Sequence, residues 1–154
     1  AHSKKKRSFS MWGIVIALIS GALMSIQGVF NTGVTKTAGV WVSAGFVQLT
    51  AFLICIVAWF ITGREGSVGA LAQVPHKYML LGGAIGAFIT FTVIESMNRL
   101  GPAKSVMLIV ISQLIVAYLI ELLGIFGVEK VSFEWKRLIG MAIAIVGVII
   151  FKWE

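Results

Sequence analysis

Five polar side chains stand inside long apolar stretches of this 154-residue chain, and their types could carry chemistry there. They are four carboxamides and one carboxylate: Gln27, Asn31, Gln48, Gln113 and Glu121. Carboxamides can hold a polar solute by hydrogen bonds, and a carboxylate can exchange a proton or bind a cation. Polar groups at membrane depth are costly and usually face a bundle interior or a water-filled cavity. We therefore expect the five to line one substrate and coupling-ion cavity, with Glu121 as the coupling group.

The spacing of these residues also favours a shared cavity. Gln27 and Asn31 are four residues apart, so they lie on one face of a helix. Gln113, Ala117 and Glu121 follow one another at intervals of four, which keeps the two polar groups within about 80° of each other around a helix. Polar residues from several apolar segments therefore predict one site built by several helices.

Each residue also has a simpler interpretation. The three glutamines could form hydrogen bonds between neighbouring helices. Glu121 could extend toward the inner membrane surface instead of facing a cavity. Glu95 and Arg99 are one helical turn apart and are predicted to form an interfacial ion pair. The sequence leaves these alternatives open.

The elements that must position these residues are long apolar segments. The chain is 58% hydrophobic and 12% charged, whereas a soluble domain averages about 45–50% apolar and about 25% charged residues. A helix crosses a bilayer with about 20 apolar residues. The sequence thus predicts an all-α integral membrane protein with one domain at residues 11–154. Its five predicted transmembrane helices cover about 11–31, 40–62, 78–98, 103–126 and 138–153.

The residues required for several other functions are missing or misplaced. His2 lies in the predicted tail, His76 in a predicted loop and the single Cys55 in an apolar stretch, so neither a metal site nor a catalytic triad is predicted. No Walker A phosphate loop is present. We expect no enzyme activity, no cofactor and no metal. The net charge of +7 lies mainly beside the apolar segments, which is typical of membrane orientation and not of nucleic-acid binding.

Basic residues also predict how the chain is oriented. Residues 1–10 form a predicted cytoplasmic tail, in which we expect residues 1–3 to be an expression remnant. With this tail inside, nine Lys and Arg residues lie on the cytoplasmic side and four outside, which favours a cytoplasmic N-terminus and an external C-terminus. Without the basic run at residues 4–7 the count is five against four. Tryptophans at or near the predicted span ends indicate contact with membrane lipid.

Three ordered sequence blocks carry a resemblance to a known family. The blocks are GALMSIQGVFNTGV, LGPAKSVMLIVISQLIVAYLIELLGIFGVEK and LIGMAIAIVGVIIFK. Together they resemble the YdcZ-like family of the drug/metabolite transporter superfamily, a family of five-helix inner-membrane exporters. Two positions depart from the family pattern, because Ser112 replaces a usual glycine and Glu121 replaces a frequent aspartate.

The resemblance implies a transporter subunit of the bacterial inner membrane. The superfamily includes ten-helix transporters made of two inverted five-helix repeats, so this chain resembles one half of such a transporter. That implies an antiparallel dimer, formed by two copies of this chain or with a related five-helix subunit of opposite orientation. The implied function is secondary-active transport of a small metabolite or drug by alternating access. A lipid or lipid-linked-intermediate translocator and a non-transporting scaffold or regulatory subunit are the alternatives.

Overall fold

The computed structural model describes residues 11–152, and this part of the chain contains five α-helices. They are α1 (Met11–Ala38), α2 (Val40–Ile61), α3 (Gly82–Leu100), α4 (Pro102–Leu123) and α5 (Trp135–Lys152). Two short 3₁₀ helices, Val68–Gln73 and Lys77–Leu81, connect α2 to α3. The predicted basic tail and Trp153 lie outside the described residues. The described part is all-helical, as the apolar segments predict.

Four helical segments are long and apolar enough to cross a membrane: Met11–Ala38, Val40–Ile61, Lys77–Leu100 and Pro102–Leu123. The third segment joins the second 3₁₀ helix to α3. The 18 residues of α5 include three basic side chains, Lys136, Arg137 and Lys152. Because charge lowers the apolar content of so short a helix, α5 as a fifth span stays a prediction.

Several helix ends differ from the predicted span bounds, and local chemistry explains the end of α4. α1 continues to Ala38, and the hydroxyls of Thr32 and Thr35 in this last part donate to the carbonyls of Gly28 at 2.7 Å and of Asn31 at 2.8 Å. α4 stops at Leu123 because Gly124 adopts a left-handed conformation, with φ of 62°, that caps the helix. A Cβ atom on Gly124 would also lie 2.7 Å from the Lys130 Cβ, so glycine is required there twice over.

α3 lies at the centre of the bundle. It packs against α1, α2 and α4, while α1 also contacts α2 and α4, and α5 packs on α4. Ile94 and Met97 of α3 are buried. Gly28 brings α1 close to α3, since a Cβ atom there would lie 2.5 Å from the Met97 Cε. Small residues at such crossings permit the close backbone approach that stabilises helix pairs in lipid.

The outer surface of the bundle is apolar. Large side chains such as Phe30, Ile54 and Ile150 are 68%, 69% and 70% exposed. Soluble monomers rarely expose contiguous apolar surface on this scale, whereas lipid tails cover it at no cost. The fold therefore places most of its apolar side chains where a bilayer surrounds them.

Candidate functional site

Gln27 and Asn31 lie together on one face of α1, as their spacing predicts. They line a shallow pocket of about 430 Å³ with apolar neighbours that include Met24 and Phe30. Asn31 is only 8% exposed. Its backbone carbonyl accepts hydrogen bonds from the hydroxyl of Thr35 at 2.8 Å and from that of Ser43 at 3.2 Å. This hydroxyl contact from α2 fixes the Asn31 backbone at the junction of the two helices.

The side-chain amides of Gln27 and Asn31, unlike the Asn31 backbone, lack hydrogen-bond partners in the described chain. Neither forms a hydrogen bond with any other group in residues 11–152. An amide without a partner in an apolar medium loses about 1–3 kcal/mol relative to one that is paired. Both amides are therefore available to a solute, to water or to a second chain.

Gln113 lies near the middle of α4 and lines a different cavity, of about 130 Å³, between α1, α3 and α4. Its walls include Gly21 and Met24 of α1 and Met97 of α3. Within the described chain the Gln113 amide also forms no hydrogen bond. Met24 lines both this cavity and the pocket of Gln27, so the two adjoin. We call the combined surface of Gln27, Asn31, Gln113 and Met24 the amide groove.

Gln48 has a different environment. Its Nε2 donates hydrogen bonds to the Thr90 hydroxyl at 2.9 Å and to the Gly86 carbonyl at 3.3 Å, both on α3. The amide thus joins α2 to α3, which is the interhelical role that the sequence leaves open for each glutamine. The Trp41 and Phe91 rings stack at 4.6 Å between the same two helices. These contacts of Gln48 are interhelical, and its predicted place in a substrate cavity stays a prediction.

Glu121 faces α5. Its carboxylate lies 3.1 Å from the Nη1 of Arg137, and the Nε of the same guanidinium lies 3.4 Å from the Glu134 carboxylate. The Tyr118 hydroxyl accepts a hydrogen bond from the Glu134 backbone N–H at 3.2 Å, and the guanidinium sits 5.7 Å from the Tyr118 ring centre. We call Tyr118, Glu121, Glu134 and Arg137 the junction cluster.

A turn of about 80° separates Glu121 from Gln113 around α4, and this angle is enough for the two side chains to face different neighbours. The first half of α4 lines the cavity with α1 and α3, whereas Tyr118 and Glu121 line a pocket of about 360 Å³ with α5. Gln113 and Glu121 therefore lie in separate pockets of one chain. The role of Glu121 in coupling stays a prediction.

Arg137 is the residue that sequence reasoning missed. The fifth span was predicted to begin at Leu138, so Arg137 counted only as a loop charge that sets orientation. The helix begins at Trp135 instead, which puts the guanidinium in its first turn and within reach of Glu121. The sequence did contain an indication of this ion pair. Arg137 lies beside the predicted start of one span, and Glu121 lies near the end of the preceding span.

Glu95 and Arg99 lie one turn apart on α3, with 3.4 Å between carboxylate oxygen and Nε. The Arg99 side chain is 78% exposed. Exposed pairs of this kind contribute little to stability, typically about 0.3–0.5 kcal/mol on a helix. In the part of the chain that the structure covers, no three His, Cys, Asp or Glu side chains are grouped to hold a metal ion.

The chain was also compared with known proteins. A family model named DMT_YdcZ, with the description "Putative inner membrane exporter, YdcZ", matches residues 12–150. Neither the curated proteins nor the solved structures gave a match. The family match extends from the second residue of α1 to within two residues of the end of α5. The resemblance carried by the three sequence blocks is thereby confirmed, and the chain is a multi-pass membrane protein that belongs to the YdcZ family of inner-membrane exporters, which is not an enzyme family.

Proposed function

We propose that this protein is one subunit of a secondary-active transporter of the drug/metabolite type, which moves a small metabolite or drug by alternating access as an antiparallel dimer. The observation that carries the proposal is the amide groove. It presents three unpartnered carboxamides on one side of the bundle. Membership of an exporter family supports the same function.

The position of the groove supports the proposal of a second chain. Gln27 and Gln113 are exposed on the single chain and lie far from the ends of α1 and α4. Lipid tails cannot satisfy an amide, so side chains of this kind at membrane depth turn toward protein or water. An inverted partner that covered the groove would enclose these amides together with its own. The dimer would then hold a polar cavity near the bilayer midplane, where transporters with inverted repeats bind their substrates.

The dimer could contain two copies of this chain or one copy and a related five-helix subunit. The nine-to-four bias of basic residues supports a single orientation, with the N-terminus in the cytoplasm and the C-terminus outside if α5 is the fifth span. A single orientation requires a separate partner of opposite orientation. Without the basic run at residues 4–7, the numbers of Lys and Arg on the two sides are nearly equal, which supports a homodimer of two copies inserted in opposite orientations.

The proposal gives the five residues three different roles. Gln27, Asn31 and Gln113 contact substrate in the groove, and Gln48 holds α2 against α3. Glu121 acts at a distance from the groove, through its contact with Arg137. A proton or cation that bound its carboxylate would compete with Arg137 and weaken the contact between α4 and α5. That change would connect ion binding to a movement of α5.

The test is an unbiased transport assay. Proteoliposomes that contain the purified protein are incubated in a bacterial metabolite extract under a proton gradient, and the compounds retained inside are identified by mass spectrometry. At least one compound should accumulate with the wild-type protein and not with the Gln27→Leu, Gln113→Leu double variant. The same retained compounds for both proteins, at the same level as in empty liposomes, would contradict a transport function.

A lipid translocator is the second candidate, and one observation favours it. The pocket of Gln27 and Asn31 opens on the outer side of α1 and is flanked by Leu23, Ile26 and Phe30, so a lipid could enter it from the bilayer. Fluorescent lipid placed in one leaflet of the same proteoliposomes would report this activity. Faster exchange between leaflets that the double variant abolishes would favour a lipid translocator over a metabolite transporter.

A further inference from the structure

The charged residues of the described helices keep away from the amide groove. Every Lys and Arg on α1–α5 lies in the first or last turn of its helix. The two acidic helix residues, Glu95 and Glu121, are each paired with an arginine. The two pockets that form the groove are lined by amide, hydroxyl, thioether, aliphatic and aromatic side chains and by glycine, with no ionisable group among them.

This separation of charge limits what the groove can bind. A cation or anion that leaves water for a medium of low polarity loses several kcal/mol of solvation unless an opposite charge faces it. The nearest candidate for such a charge on α4, Glu121, is held in the junction cluster by Arg137. A second copy of this chain whose amide groove faced this one would add the same amides and no ionisable group.

The groove does provide good partners for uncharged polar groups. Each carboxamide offers two N–H donors and one carbonyl acceptor, which pair with hydroxyl or amide groups in either direction. Asn31 is 8% exposed and its side-chain amide has no hydrogen bond in residues 11–152, so this amide can bind a solute. Met24 and Met97 beside it are flexible thioethers that adapt to differently shaped apolar surfaces.

We infer that the amide groove binds an uncharged, amphipathic compound that carries hydroxyl or amide groups, and that it rejects organic cations and anions. The inference rests on the proposed transport function and names its substrate class.

The experiment compares closely related compounds in which N-acetylation replaces a cationic amine by a neutral amide. Proteoliposomes with the wild-type protein receive two radiolabelled pairs, N-acetylglucosamine with glucosamine and N-acetyltyramine with tyramine, at a mildly acidic pH that keeps both free amines protonated. Uptake is measured above that of empty liposomes. The neutral member of at least one pair should enter at least about tenfold faster than its cationic partner, because only the cation loses solvation without a counter-charge.

A pair of variants connects this preference to the groove. Gln113→Glu places a carboxyl group in the cavity with almost no change in shape. It should raise uptake of the cation, which supplies the opposite charge that keeps the carboxylate ionised, and lower uptake of the neutral compound. Gln113→Asn, the matched control, keeps an uncharged amide and should keep the wild-type preference. Size-exclusion chromatography in detergent establishes that each variant is folded.

The outcomes separate the two proposals. Faster uptake of the cations by wild-type protein would overturn the neutral-substrate inference and leave the transport function intact. An unchanged preference in folded Gln113→Glu would also overturn the inference, because the groove would not be what selects. If none of the four compounds entered, the neutral-substrate inference would fall. If the metabolite extract also gave no accumulation, the transport function would fall with it.

Discussion

The two halves of α4 hold polar side chains in opposite ways. In the middle of the helix Gln113 is uncharged and has no hydrogen-bond partner in the described chain. In the last turn Glu121 is charged and paired with Arg137 at 3.1 Å. Gln113 lines the amide groove, whereas Glu121 connects α4 to α5 through its ion pair with Arg137. The difference teaches that a polar residue in an apolar helix indicates function most clearly when the chain itself leaves it unsatisfied.

Removal of the unpartnered amide tests most directly whether Gln113 serves transport and not stability. Gln113→Leu should lower transport about tenfold to a hundredfold, because a lost substrate hydrogen bond of about 1.4–2.8 kcal/mol has that effect on binding. Stability should not fall, since no hydrogen bond within the described chain is lost. Transport in proteoliposomes and thermal unfolding in detergent measure the two quantities. The control is Ser112→Ala on the adjacent, exposed position, and equal transport by both variants would remove Gln113 from the site.

The junction cluster can be tested by exchanging its charges. Glu121→Arg and Arg137→Glu should each lower the free energy of unfolding by about 1 kcal/mol. The figure is modest because solvent screens the pair: the Arg137 side chain is 43% exposed and that of Glu121 is 33% exposed. The double variant should recover part of the loss, because it restores the pair between α4 and α5 but places the carboxylate at position 137 beside Glu134. Thermal unfolding in detergent measures all three.

The same double variant decides what Glu121 does in transport. If the carboxylate only fastens α5, the restored pair should also restore uptake. If Glu121 carries the coupling proton or cation, the double variant should be stable and yet no longer respond to a proton gradient. Recovery of both stability and proton-driven uptake would end the coupling hypothesis.

Gln48 can be compared directly with Gln113, because it is a glutamine whose amide does form hydrogen bonds within the chain. Gln48→Leu should cost about 0.6 kcal/mol of stability, the average for a hydrogen bond between membrane helices. Transport should change less than that of Gln113→Leu, since the Gln48 amide is directed at α3. Measuring both variants side by side checks the ranking, and a larger transport defect in Gln48→Leu would reverse the roles assigned here.

The smallest effect is expected at the pair on α3. Glu95→Gln removes an ion pair whose arginine is 78% exposed, so stability should fall by less than about 0.5 kcal/mol. Uptake should stay at the wild-type level. A loss as large as that of Arg137→Glu, measured by thermal unfolding, would mean that exposure is a poor guide to the value of the ion pairs in this bundle.

Apolar length and ordered motifs were enough to predict the helical membrane fold and the family, because bilayer thickness sets the length of a span. The grouping of Gln27 with Asn31 also followed from sequence, since both lie on one helix. The partners of Gln48 and Glu121 could not be predicted, because they depend on how two helices are rotated against each other. The start of α5 was placed three residues late, and that error removed Arg137 from the helix.

The attachment of α5 to α4 has a consequence for synthesis. α5 is the last of the five helices to leave the ribosome, and its first turn carries two positive charges. When it reaches the membrane, α4 already presents the Glu121 carboxylate near its own end. We expect this counter-charge to bind Arg137, so that the end of α4 determines where the first turn of α5 comes to lie.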